Sequence, residues 1–94
     1  MAKGPKGVKV DTAFESALIC AERYSCGRRS YIVGSTAQYI RCVKALLSDW
    51  CIKVILQDLA DAFLRNQVGD TMDALEWRRV VDDLTEEQKK RGRA

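Results

Sequence analysis

"SDWCIKVILQDLADAF", residues 48–63, is the stretch whose pattern decides the fold. Ser48 and Asp49 suit a helix start: a serine oxygen can accept from the free first-turn amides, and an aspartate faces the positive helix end. Ile52, Ile55, Leu56, Leu59 and Phe63 then recur at the i, i+3, i+4, i+7 spacing of one helical face. Cys51, Val54, Ala60, Ala62 and Leu64 widen that face into a broad apolar arc, the pattern of a helix buried on more than one side. Gly69 is read as the end of this helix. Such a helix needs helical neighbours.

Three more fit the flanking sequence. "TAFE", Thr12 to Glu15, has the spacing of a capping box, in which the hydroxyl and the glutamate satisfy first-turn amides reciprocally. Phe14, Ala17, Leu18 and Ala21 follow, predicting a helix from 12 to about 25, with Gly27 placed to close it. "GSTAQ" offers a second box, Ser35 with Gln38, ahead of a stripe of Tyr39 or Ile40, Val43, Leu46 and Leu47. Asp70 or Thr71 opens a fourth helix whose inner positions are Ala74 or Leu75, Trp77, Val81 and Leu84. "SYIV", residues 30–33, is the one place where a short strand is credible, and four residues make no sheet alone. The expected fold is all-α: a small bundle of about four helices, 11–85, between a flexible arm, 1–10, and a polar basic tail, 86–94. Its expected core contains Phe14, Leu18, Ile40, Val43, Ile55, Leu59 and Phe63. The wide arc of the third helix further predicts a homo-oligomer, since three short neighbours leave part of it uncovered.

At 94 residues the chain supports one hydrophobic core, and 47% hydrophobic with 31% charged residues is an ordinary globular balance. No apolar run approaches the roughly 20 residues that span a bilayer. "MAKGPKGVKV" has the lysines of a signal peptide without the apolar segment, so a cytoplasmic location is expected, with no membrane partner. The net charge of +3 divides unevenly: residues 11–85 hold nine basic and eleven acidic side chains, a net −2, and the excess cations lie at the two ends. A broad basic face for long nucleic acid is therefore not expected. Cys20, Cys26, Cys42 and Cys51 lack the short pairing of zinc knuckles, the chain has no histidine, and reduced structural thiols without metal are expected.

An enzyme is not expected, and no cofactor. A nucleophilic cysteine lacks its usual histidine base, and the carboxylate pairs (Asp58 with Asp61, Asp70 with Asp73, Asp82 with Asp83) read as solvated helix faces. "AERYSCGRRSY", residues 21–31, is more suggestive. Arg23, Tyr24, Arg28, Arg29 and Tyr31 combine guanidinium forks, which grip phosphate or carboxylate, with rings that stack on a base. These five residues are the candidate ligand-binding set. The alternative is structural, with Arg23 paired to Asp58 or Asp73 across the bundle and Arg28 and Arg29 merely exposed. Trp77 is expected in the core. Trp50 either covers one end of the bundle or anchors a partner.

The segment also resembles a family of small phage and prophage proteins that share an Ala-Leu-x-x-Ala-x-Arg-Tyr-x-x-Gly-Arg-x-Ser/Thr-Tyr signature. Ala17, Leu18, Ala21, Arg23, Tyr24, Gly27, Arg28, Ser30 and Tyr31 match it. Leu47-Ser48-Asp49 and then Gly69, Asp70, Asp73 and Trp77 match its later elements, so the likeness covers about residues 13–80. Cys26 and Arg29 stand at loosely specified positions and inherit nothing from it. The resemblance implies an accessory protein that counteracts host defence in the host cytoplasm. Two modes are open: sequestering a small anionic signal such as a cyclic nucleotide, or anti-CRISPR-type inhibition by binding a host effector protein or its nucleic-acid channel.

Overall fold

A computed structural model describes residues 10–25, 33–66 and 71–93. They form four helices, α1 (Thr12–Ser25), α2 (Val33–Val43), α3 (Asp49–Leu64) and α4 (Thr71–Arg93), with a 3₁₀ turn at Lys44–Leu46 between α2 and α3. The described residues contain no strand, and the all-α expectation holds. The "SYIV" segment lies outside them except for Val33, which opens α2. Packing runs in a ring: α1 touches α2 and α3, and α4 touches the same two helices from the other side. α3 is therefore covered along two flanks, the minimum that its apolar arc demands.

The α3 start follows the sequence. Ser48 is extended (φ −73°, ψ 160°) and its hydroxyl accepts from the Cys51 amide at 3.1 Å, leaving Asp49 in the first turn. The end comes earlier than Gly69, which lies outside the described residues. The helix stops at Leu64, and Asn66 takes φ 58°, a left-handed conformation that asparagine tolerates better than most residues. The Asn66 amide donates to the Phe63 carbonyl at 3.1 Å and the Arg65 amide to that of Asp61 at 3.0 Å, which satisfies the last turn.

The α1 cap differs from the expected box. Asp11 is the cap, its carboxylate accepting from the Phe14 amide at 3.0 Å. Glu15 faces inward instead. It accepts from the Ser48 amide at 2.6 Å and from the Ser48 hydroxyl at 2.8 Å, joining the first turn of α1 to the cap of α3. The buried stripe of α1 is thus Glu15, Leu18, Ile19 and Glu22, at i, i+3, i+4 and i+7, while Ala17 is exposed and Ala21 half-buried. Excluding acidic residues from the stripe had rotated the expected face.

The core is Leu18 and Ile19 from α1, Ala37, Ile40 and Val43 from α2, Leu47, then Cys51, Ile52, Ile55, Leu59 and Ala62 from α3, and Trp77, Val80 and Leu84 from α4. Of the expected core, Phe14 and Phe63 sit at its edge, half-buried, with the Phe14 and Tyr39 rings 6.0 Å apart. On α4 the stripe runs through Val80, so Leu75 points outward and is 54% exposed.

Residues 86–93 are not a separate tail. The α4 stripe continues through Glu87, which is buried, to Arg91. The Arg91 guanidinium binds Asp49 at 2.7 Å and Glu87 at 3.0 Å and donates to the Lys44 and Ala45 carbonyls at 3.2 and 3.4 Å. Polar composition concealed a docked segment because its contacts are ionic. Two seams are clasped in the same way, α1 to α3 by Arg23 with Asp58, and α2 with the following 3₁₀ turn to α4 by Arg41 and Lys44 with Asp83.

Two substitutions test this frame by chemical denaturation. Glu15→Ala leaves the Ser48 donors facing a vacated site and should cost on the order of 2–3 kcal/mol, as for lost charged hydrogen bonds in a buried setting. Arg91→Ala should cost about 1–2 kcal/mol, because its partners remain partly solvated. A loss under 0.3 kcal/mol for Arg91→Ala would mean that the last turns of α4 do not dock.

Candidate functional site

The candidate site begins where α1 ends. Arg23 lies in its last turn, where a cation suits the negative end of the helix. Its Nε donates to Asp58 Oδ2 at 2.5 Å, across to the middle of α3. The hydrogen bond and charge of Asp58 raise the Arg23 pKa, so the guanidinium is a permanent cation. This is the pairing named as the structural alternative, and it is made. It uses one edge of the group. The Arg23 side chain stays 58% exposed, and Nη1 and Nη2 make no bond to the described residues.

Tyr24 follows within α1, and its side chain falls outside the described set. Arg28, Arg29 and Tyr31 lie outside the described residues altogether. Ser35 was expected to open α2, but the helix starts at Val33, so Ser35 sits inside the first turn. The first-turn amides of α2 are consequently those of residues 33–36.

The other signalled residues separate cleanly. Trp77 is fully buried, as expected, and its indole Nε1 has no partner among the described residues. Trp50 is 52% exposed, and Leu46, four residues earlier at the α2–α3 connection, is exposed as well. Asp58 and Asp61 are not a working pair, since Asp58 holds Arg23 and Asp61 faces Arg65 at 3.9 Å. Asp83 is bound by Arg41 and Lys44, and Asp82 is exposed and without an ion pair among the described residues. Asp70 and the Asp73 side chain are outside the described set. Among the described residues no three His, Cys, Asp or Glu converge as a metal would require, and no helix is long and apolar enough to cross a membrane.

Cys20, Cys42 and Cys51 are free thiols, and Cys26 lies outside the described residues. Cys51 is the buried one. Burial pushes its pKa up from an ordinary 9.0 to about 12, helped by the negative charges of Glu15 and Glu22. A thiol held neutral in this way is inert as a nucleophile.

Two of the surface hollows are lined by described residues. One, at the end of the bundle, is lined by Asp49, Lys53, Gln88, Arg91 and Gly92, but Asp49 and Arg91 satisfy each other across it. The other is a groove of about 310 Å³ between α3 and α4, lined by Leu56, Ala60, Phe63, Arg78, Val81 and Asp82. The sequence hinted at it only through the width of the α3 arc. Compared with protein-family models, curated proteins and solved structures, the chain matches none of them.

The Cys51 environment generates a pH dependence. Because folding raises this pKa, the neutral thiol's contribution is complete below about pH 9 and is lost as the pH climbs towards 12. Wild type should therefore lose stability over that window more steeply than Cys51→Ala, in urea titrations at pH 8, 9 and 10. Parallel slopes for the two proteins would contradict the buried, acid-flanked setting of this thiol.

Proposed function

We propose that this chain is a non-enzymatic accessory protein of the phage type, a homo-oligomer that counteracts host defence by sequestering a small anionic signal such as a cyclic nucleotide. The binding set is Arg23, Tyr24, Arg28, Arg29 and Tyr31, at the exit of α1. The observation that carries the reading is that, among the described residues, Arg23 is held through Nε alone. A guanidinium already oriented by one carboxylate loses less freedom when its remaining edge closes on a phosphate. Asp58 and Glu22 also oppose an anion, so net attraction requires Arg28 and Arg29: three cations against two carboxylates leave the turn net positive on a slightly acidic body.

The second reading, inhibition of a host effector protein, draws support from Leu46 and Trp50, large apolar side chains four residues apart and each more than half exposed. Aromatic residues in such positions are frequent anchors of protein contacts. The resemblance to phage proteins supports both readings equally.

Thermal-shift titration against cyclic dinucleotides and ADP-ribose derivatives tests the first. A ligand at a hundredfold excess over its dissociation constant adds about 2.7 kcal/mol of stability. Arg28→Ala and Tyr31→Ala should keep the melting temperature of the free protein and abolish the ligand-induced shift. Arg23→Ala should weaken both, because the residue is clasp and ligand donor together. If Arg23→Ala and Arg28→Ala lower stability by about 1 kcal/mol or more while the shift survives intact, the arginines are structural and the reading fails.

A further inference from the structure

We infer that the α3–α4 groove is where a second copy of this chain docks, about a two-fold axis that sets Arg78 of each copy against Asp82 of the other. The inference rests on the self-association proposed above and assigns it a face and a pairing. The groove floor is apolar, with Leu56, Phe63 and Val81 half-buried and Ala60 exposed. Leu75 stands three residues before Arg78 on the same outer stripe of α4 and extends the apolar surface.

The rim selects the occupant. Arg23, Arg41, Arg65, Arg79 and Arg91 each face a carboxylate within 4.0 Å. Among the described residues Arg78 is the one arginine with a described side chain that does not; its guanidinium lies over the Phe63 ring, 5.4 Å from the centroid. Asp82, one turn further along α4, has no ion pair among the described residues either. Within a helix an arginine preceding an acid by four residues is the less favourable order for a local pair. One spare charge of each sign, one turn apart on one helix, is self-complementary under a two-fold rotation. In an isologous interface residue i meets j while j meets i. An antiparallel crossing of two α4 helices, level with the midpoint of Arg78 and Asp82, therefore makes the ion pair twice and brings Phe63 and Val81 of both copies to the axis. A parallel crossing would set like charges together.

Light scattering with size-exclusion chromatography, on the full chain at micromolar concentration, tests this. Wild type should be a dimer. Arg78→Asp alone and Asp82→Arg alone should each raise the dissociation constant at least tenfold, since each places like charges face to face twice. Combining both substitutions in one chain should restore the dimer. Mixing the two single variants should yield a heterodimer, because one then carries two acids and the other two bases at the rim. Circular dichroism checks that each variant stays helical, and Ala60→Glu, at an exposed position on the floor, should break the dimer by a separate route. A monomeric wild type overturns this proposal and the oligomer reading together. A dimer indifferent to all three single substitutions overturns the groove alone and leaves self-association on another face.

Discussion

The structure turns on one carboxylate. Glu15 sits buried in the first turn of α1 and receives both the amide and the hydroxyl of Ser48. The same hydroxyl accepts from the Cys51 amide, so a single relay caps α3 and ties it to α1. Burying an ionised carboxylate is costly unless donors replace its water, and two short charge-assisted bonds do so here. The consequence is positional. α3 can begin only where Ser48 meets α1, and Cys51, three residues later, is forced into the core between the charges of Glu15 and Glu22. That placement sets the register in which Ile52, Ile55 and Leu59 meet α1 and α4.

The energy and the geometry come from different groups. Fourteen buried side chains, with Trp77 the largest, supply the hydrophobic term that overcomes chain entropy. The ion pairs at the seams are partly solvated, and pairs of that kind add little each. Their use is in direction. Arg41 and Lys44 converge on Asp83 and fix α2 against α4. Arg91 reaches the 3₁₀ turn and the start of α3 at once, so the last turn of α4 closes the ring beside the Glu15 relay.

Much of the fold was legible because it is written in local chemistry. The Ser48 cap and the stripe from Ile52 to Leu59 are short-range signals, and both appear where the spacing put them. What could not be read depends on partners distant in sequence. Glu15 has the spacing of a local box, yet its donors lie 33 residues away. The last two turns of α4 look like a solvated tail because the residues that dock them, Glu87 and Arg91, are charged. In the candidate site the alternatives for Arg23 were both visible, but a sequence does not state which edge of a guanidinium an aspartate will take. The rim of the α3–α4 groove was hidden for the opposite reason: Arg78 and Asp82 have the spacing of an ordinary helical pair that is not made.

The two proposed surfaces do not compete, and the reason is helical geometry. Asp58, which orients Arg23, stands two residues from both Leu56 and Ala60, a rotation of about 200° around α3. The face of α3 that meets α1 therefore points away from the face that lines the groove with α4. In a dimer formed through the groove, each copy's α1 exit stays on the outside, with the Arg23 edge still open to a ligand. Such a particle would present the two proposed anion sites separately, each built by one chain. It would also account for the wide apolar arc of α3: one flank serves the core against α1, another the core against α4, and the remainder would meet a second copy. A helix with three apolar neighbours has little surface left for charge, and among its described side chains Asp58 is the acid that faces α1.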